Sequence, residues 1–464
     1  MPEAKIGLET HVQLDTATKL FCGCPNEQAD EPNVNTCPTC LGHPGSKPRT
    51  NQAAIDAGIR AGLALNCDIA EEVVFSRKTY FYPDMNKNFQ ITQYEEPIAS
   101  DGSLEIENKE IGIKRAHIEE DPAKLEHEGG SMESADYTLV DYNRAGTPLL
   151  EIVTEPDFET PDEAREFLQR LIRIMEYLGI YDREEGSVRS DANISIEGGN
   201  RVEVKNITGT KAIQKALEHE LERQEKLIRR GEKVERETRN YDSEEEVTRS
   251  LRSKEEEQEY GYIFEPDLVT VDISREEVEE ARESLPELPN AKRERFLAEY
   301  DIGEELADSL ITDPELADAF EEAAGVTDEE LAASWFSGPV KKTLNYHEIS
   351  YSGSPLRKEW IVEVLEKLDS GEISDRAAEK IIQEMVEDPR EPSDIIEEEG
   401  LEKAGGSELE EYVEEAIDEN PEAVEDYRSG EEDALNFLVG QVMERSGGRA
   451  DPKEVREMLE KELD

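Results

Sequence analysis

Four of the five cysteines form two short pairs, Cys22-Gly-Cys24 and Cys37-Pro-Thr-Cys40, separated by 12 residues. Thiolates are soft ligands, and two such pairs supply the four corners of a tetrahedral zinc site. A site closed in this way has no open position, so its role would be structural. The alternative is four free or redox-active thiols. Cys67, which ends the stretch Leu63-Ala-Leu-Asn-Cys67, is expected as a buried core thiol. A second set of chemically capable residues emerges from alternation along the strands. In Ile6-Gly-Leu-Glu-Thr-His-Val-Gln-Leu14 the even positions carry Ile6, Leu8, Val12 and Leu14. Glu9, His11 and Gln13 therefore share the opposite face. Asp191, Asn193 and Arg189 fall opposite Ala192, Ile194 and Ile196, and Glu203 and Lys205 fall opposite Val202 and Val204. Arg115, His117 and Glu119 share one side of Lys114–Glu120.

Strand faces that combine carboxylates, imidazoles and cations can hold Mg²⁺ through oxygen ligands and leave Lys and Arg for phosphates. The alternative is a sheet with one solvated side. Standard cradles are missing: there is no G-x-x-x-x-G-K-[ST], no G-x-G-x-x-G after a strand, no H-E-x-x-H and no G-x-S-x-G. ATP chemistry here would need a different cradle, and amide hydrolysis would belong to a partner.

The elements that must position these residues are mainly strands up to about residue 210. Ala192–Glu197, Gly198-Gly199-Asn200 and Arg201–Asn206 read as a hairpin, and Leu104–Glu107 and Ile111–Lys114 flank another turn. Thr160-Pro161-Asp162-Glu163 combines an N-cap, a proline at the first helical position and a capping-box Glu, and Gly179 ends that helix. A second helix is expected from about Lys211 to Arg230. From about Ser284 the pattern is helical, with breaks at Pro286, Pro289, Pro314 and Ser352–Pro355. Asp388–Gly406 reads as a linker, followed by three short helices. The middle one carries Leu435, Leu438, Val439 and Val442, and the last opens with Asp451-Pro452-Lys453-Glu454.

The chain has 464 residues, with 114 Asp and Glu against 52 Lys and Arg, a net charge of −62. A surface of that sign opposes nucleic acid, whose affinity rests on Lys and Arg neutralising phosphates. The acids are spread along the whole chain, however, and Lys is outnumbered by Arg. That pattern points to adaptation to very high internal salt, where the screening length falls to about 3 Å at 1 M. There is no run of about 18 apolar residues to span a membrane and no apolar segment at the start to act as a secretory signal. The cytoplasm is the expected compartment.

Several blocks resemble the GatB family, one of the component proteins of the aspartyl/glutamyl-tRNA amidotransferase. They are Ile6–Leu14, Phe21–Cys24, Cys37–Gly42, Arg77–Asp84, His117–Asp121, Val140–Ile152, Glu184–Ser195 and Asn436–Met443. The resemblance implies an α+β protein: a β-rich cradle over residues 1–285, a helical domain over 286–395 and a small all-α tail of the YqeY type over 396–464. It also implies a carbon–nitrogen ligase of protein biosynthesis with glutamine as amido donor. ATP and Mg²⁺ would phosphorylate the side-chain carboxylate of Asp or Glu misacylated onto tRNA(Asn) or tRNA(Gln). Ammonia from an amidase partner (GatA) would displace the phosphate, with a small third protein (GatC) completing a heterotrimer. No membrane and no DNA partner is implied.

Carried onto this chain, the resemblance places Glu9, His11, Glu119 and Glu120 at the Mg²⁺ site, with Glu185 and Asp191 as further ligands. Lys78 and Lys205 would meet the ATP phosphates or the developing charge. Arg77, Tyr80, Tyr82, Asn143 and Arg144 would shape the pocket for nucleotide and acceptor end. Cys22, Cys24, Cys37 and Cys40 would hold zinc. Arg445, Arg449, Lys453 and Arg456, in a tail with 21 acids and 7 bases over 401–464, are expected to face the tRNA. The chain departs from the family at Thr10, where an aliphatic residue is usual, at Ser190, a small-residue position, and at the basic Lys47–Asn51. Two rivals are a non-catalytic zinc-containing tRNA-binding scaffold and the paralogous GatE protein. Thr248–Pro289 leaves no room for the domain that GatE inserts.

Overall fold

The structure is a computed structural model that describes residues 4–107, 109–128, 136–183, 186–253, 260–404, 406–429, 431–447 and 449–463. The chain divides into two compact units, Met1–Leu288 and Pro289–Asp464.

The first unit is built on a nine-stranded sheet. Its strands are β1 (Ala4–Gln13), β2 (Asp68–Ile69), β5 (Ala99–Ile106), β6 (Lys109–Glu120), β7 (Pro148–Thr154), β8 (Val188–Ile196), β9 (Val202–Thr208), β10 (Glu237–Asp242) and β11 (Val247–Ser253). Strands β3 (Ser76–Thr79), β4 (Phe89–Thr92) and β12 (Tyr262–Phe264) form a separate three-stranded sheet, in the order β12-β3-β4. The large sheet runs β11-β10-β9-β8-β1-β7-β6-β5-β2, antiparallel except for the β9–β10 pair. Strand β1 sits at its centre, which is why its alternation is so clean: Ile6, Leu8, Val12 and Leu14 are fully buried. They share one core with Ile55 and Leu65, Phe167 and Leu171, and Ile213 and Leu217. These residues come from, or just after, the helices α1 (Gln52–Ala64), α2 (Pro161–Tyr177) and α3 (Thr210–Arg229). With one face under the helices, the other is left for polar side chains.

Both expected hairpins form, β5–β6 and β8–β9. Helix α2 starts as its sequence dictates: the Thr160 hydroxyl accepts from Glu163 N at 3.2 Å. Glu163 reaches back to Glu159 N at 2.8 Å, and Gly179 takes φ +62° after the last turn.

The second unit is helical throughout its described residues. One core gathers Phe296, Phe320, Phe336, Ile361, Ile381 and Ile395, and a second gathers Leu409, Leu438, Val442, Val455 and Leu459. The stretch expected as a linker contains the helix Pro392–Glu399, whose Ile395 and Ile396 are buried in the first of these cores. Proline at its first turn starts that helix rather than breaking it. Beyond it come four helices among the described residues instead of three, because one ends at Glu419 and Pro421, after the N-cap Asn420, opens the next.

Candidate active site

The polar face of the large sheet is where the sequence-predicted groups converge. Register places His11 opposite Arg189 on β8 and Glu151 on β7, and places Glu151 in turn opposite His117 on β6. The imidazoles and carboxylates interlock. His11 Nε2 lies 3.2 Å from Glu119 Oε1 and 3.4 Å from Glu151 Oε2. His117 Nε2 lies 3.1 Å from Glu151 Oε2. Burial alone would depress both imidazoles. The two carboxylates outweigh it, raising His11 well above its ordinary range and His117 to about 9. Burial and the facing Glu151 push Glu119 upward, but the imidazoles prevail and hold it at about 2. Glu151 is held well below the usual carboxylate range, against its burial, by the same two imidazoles.

His11, Glu119 and Glu151 bring one ligand atom each within 4.8 Å of one another. One imidazole nitrogen and two carboxylate oxygens suit a divalent cation, and carboxylates are the preferred ligands of Mg²⁺. An ion entering here must displace the proton that His11 now shares with the acids.

The small sheet stands over this cluster. Thr92 Oγ1 donates to Glu119 Oε2 at 3.1 Å, which fixes the carboxylate. Lys78 on β3 stacks over Tyr260 at 4.9 Å. Burial opposes its charge, and the Glu119 and Glu151 carboxylates hold its pKa raised nevertheless. Between the sheets opens a cleft of about 270 Å³, lined by His11, Lys78, Tyr80, Glu119, Arg189 and Lys205 among others. Asp191 also lines it, bridged by Lys205 Nζ at 2.9 Å. Lys205 is shared with Glu203, also at 2.9 Å, so it is neutralised in place. The Tyr82 ring lies 6.0 Å from that of Tyr80.

Other expected residues lie elsewhere. Glu120 is on the opposite side of β6 from Glu119, paired with Lys87 and accepting from Ile91 N at 2.8 Å. It is not part of the carboxylate–imidazole cluster, because adjacent residues on a strand point to opposite faces. Glu9 is on the correct face but one step along β1, where Asn193 Nδ2 donates to it at 3.0 Å. Its pKa is raised, first by burial and then by Glu151. Arg77 lines a different cavity, bidentate to Glu265 at 2.6 and 2.8 Å and stacked over Phe89. Asn143 does not reach the cleft; it braces the loop after Cys24, accepting from Asn35 N at 2.8 Å. Arg144 likewise stays outside, holding the turn at Pro122 and Ala123 and pairing with Asp121 at 3.1 Å. Glu185 lies outside the described residues. In the second unit, Arg445 pairs with Glu419, and Arg449 donates to Glu408 at 2.6 Å. Arg456 donates to Asn436, and Lys453 is exposed. Sequence reasoning puts Arg189 on the polar face of its strand but does not single out Glu151 and Thr92. Glu151 sits in an apolar run, Leu149-Leu150-Glu151-Ile152, and that placement is itself a signal, since a lone acid among core residues needs buried partners.

The four cysteine sulfurs also converge, all within 4.8 Å of one another. Cys37 and Cys40 Sγ are 3.8 Å apart, close to the edge of a tetrahedron with metal–sulfur bonds of about 2.3 Å. The Cys22 thiol donates to Cys40 and, with help from Lys19, brings Cys40 down to about 5, whereas burial takes Cys24 up to about 11. Lys19 is fully buried, and its ammonium donates to the carbonyls of Asn35 at 2.7 Å and Tyr142 at 3.2 Å. The geometry fits a bound metal ion. Cys67 is a buried core thiol, raised to about 12 by burial. No helix among the described residues is long and apolar enough to cross a membrane.

Comparison with known proteins fits this arrangement. Residues 4–279 match the model of the GatB/GatE catalytic domain, and residues 318–463 match the GatB domain model. Those two matches define the class as an amidotransferase component with a catalytic domain and a helical extension. The chain is 48% identical to the GatB protein of the aspartyl/glutamyl-tRNA(Asn/Gln) amidotransferase of Halobacterium salinarum, covering 99% of this chain and 97% of that one. It is 46% identical to the GatB proteins of Carboxydothermus hydrogenoformans, covering 99% and 98%, and of Methanospirillum hungatei, covering 100% and 98%. The chain belongs to the GatB family of tRNA-dependent amidotransferases.

Proposed function

We propose that this chain activates the side-chain carboxylate of Asp or Glu misacylated onto tRNA(Asn) or tRNA(Gln), and hosts its conversion to the amide. The observation that carries the proposal is the cluster of His11, Glu119 and Glu151, its two carboxylates buried, at a cleft lined by Lys78 and Arg189. Mg²⁺ held there would neutralise charge on the phosphates of ATP. A carboxylate oxygen of the substrate attacks the γ-phosphorus and ADP leaves. Ammonia then attacks the acyl carbon, and inorganic phosphate leaves with that oxygen. Lys78, which has no direct ion pair among the described residues, can stabilise the charge that develops on the transferring group. Tyr80 and Tyr260 wall the cleft as flat surfaces for the acceptor end. The four cysteines would hold structural zinc.

The chain would work in the cytoplasm with a glutaminase partner and a small third protein, and its tail over 396–464 would touch the tRNA. The charge of −62 supports a salt-adapted protein. In molar salt counterion release contributes little to RNA affinity, so shape and short-range contacts would carry recognition. Replacing Glu119 by Gln, or His11 by Ala, in the reconstituted complex tests the assignment. Amidation should be lost while tRNA affinity is unchanged. Survival of ATP-dependent amidation in both variants would leave only the scaffold role.

A further inference from the structure

Lys19 is fully buried, yet no carboxylate pairs with it among the described residues. Lys292, another buried lysine, shows the usual arrangement, its ammonium meeting Asp318 and, at 3.3 Å, Glu321. A long basic side chain normally carries its charge out to water, and a buried ammonium without a countercharge is costly. Lys19 is held inside instead. Its ammonium donates to the carbonyls of Asn35 at 2.7 Å and Tyr142 at 3.2 Å, one on each of two loops. Those loops are laced together: Asn33 N donates to Asp141 Oδ1 at 2.9 Å, and Tyr142 N to Asn33 Oδ1 at 2.8 Å. The two carbonyls supply hydrogen bonds but no net charge.

The missing charge lies at the four cysteines. The Lys19 main chain is bonded to the first pair, its N donating to the Cys24 carbonyl at 3.0 Å. Its stem borders the second pair at Gly146, where a Cβ would stand 3.6 Å from Lys19 Cδ and 3.7 Å from Cys40 Cβ. Cys40 is the thiol whose charged form is favoured, by the Cys22 thiol first and by Lys19 as well. A divalent ion bound by four thiolates carries two net negative charges, and a trivalent ion only one. A buried ammonium stabilises the more negative of these states by the larger amount. Burial also spares the interaction most of the screening that molar salt imposes on surface charges.

We propose that Lys19 is the buried countercharge of the four-cysteine centre and tunes it for a divalent metal ion over a trivalent one. The inference rests on the metal site proposed above and is independent of the amidation chemistry.

Iron in place of zinc makes the charge state measurable, because ferric and ferrous ions differ by one electron on the same four sulfurs. The full chain, loaded with iron in molar KCl, is titrated for its reduction potential. Lys19→Gln loses the charge but keeps an amide that can donate to the Asn35 and Tyr142 carbonyls. Its preference for ferrous over ferric iron should fall about tenfold, a potential lower by about 59 mV for one electron. Lys19→Met, with neither charge nor donor, should match it, and Lys19→Arg should stay near the wild type. A purely hydrogen-bonding role predicts instead that Gln resembles the wild type and Met alone departs. That result, or an Arg variant whose potential falls as far as that of Met, would overturn the proposal while the metal site stands. A wild-type chain that takes up no metal at its thiols would overturn the metal site as well.

Discussion

Replacing Glu151 by Gln perturbs the centre of the site with little change of shape. Glu151 Oε2 accepts from His117 at 3.1 Å and from His11 at 3.4 Å. His117 is almost wholly buried, whereas His11 is 26% exposed at its side chain, so the His117 bond should dominate. Its pKa is raised from 6.5 to about 9, with Glu151 as the largest attractive contribution. One unit corresponds to about 1.4 kcal/mol, so the imidazolium stabilises the fold by at most about 3 kcal/mol. Because the folded-state pKa is raised, that stabilisation is complete below pH 6.5 and disappears as pH rises through about 9. Glu151→Gln should therefore cost about 2–3 kcal/mol at pH 6 and much less at pH 10. The assay is urea unfolding of the metal-free chain in molar KCl at both pH values. The same variant should also weaken Mn²⁺ binding, read as displacement of the free-ion EPR signal. Equal destabilisation at both pH values, or none at pH 6, would refute the electrostatic account of the cluster.

Three further outcomes follow from packing. Thr10 and Ser190 are buried opposite each other, hydroxyls 3.1 Å apart, so Thr10→Val alone should cost about 1–3 kcal/mol by stranding Ser190. Adding Ser190→Ala should recover most of that loss, giving a coupling energy that additive unfolding data would disprove. Lys19→Met removes a buried ammonium beside the four cysteines, and chelator competition should show metal bound about 10–100-fold more weakly at unchanged stoichiometry. Gly102→Ala would put a methyl 2.5 Å from the Leu65 carbonyl oxygen and 2.3 Å from Cys67 Sγ. It should lower stability by about 1–3 kcal/mol in a thermal melt, with Ser103, its neighbour, tolerant of the same change.

Alternation on β1, β8 and β9 made the polar face legible in the sequence, because central strands with one helix-covered face obey period 2 strictly. Pairing was not legible. Nothing local says that β1 lies between β7 and β8, and so nothing joined Glu151 to His11 across some 140 residues of chain. Glu120 was misplaced for the same kind of reason. Two adjacent acids look equivalent in a sequence, yet a strand sends only one of them to each face, and the Lys87 that claims Glu120 comes from a separate loop. Thr10 and Ser190 look like two unrelated departures from the family until register sets them face to face. The tail cations illustrate a limit of counting charge: Arg445 and Arg449 are close in sequence to Lys453, but each already has an acidic partner from the helix Gly406–Glu419.

The central claim is that the carboxylate is activated by phosphoryl transfer at the His11–Glu119–Glu151 cluster. It is tested most directly by following an oxygen atom. The complete complex would be given ATP, glutamine and tRNA(Asn) misacylated with aspartate labelled with ¹⁸O in its side-chain carboxylate. The account predicts that the inorganic phosphate released carries one ¹⁸O per amide formed. Amide formed at the normal rate with unlabelled phosphate would contradict it.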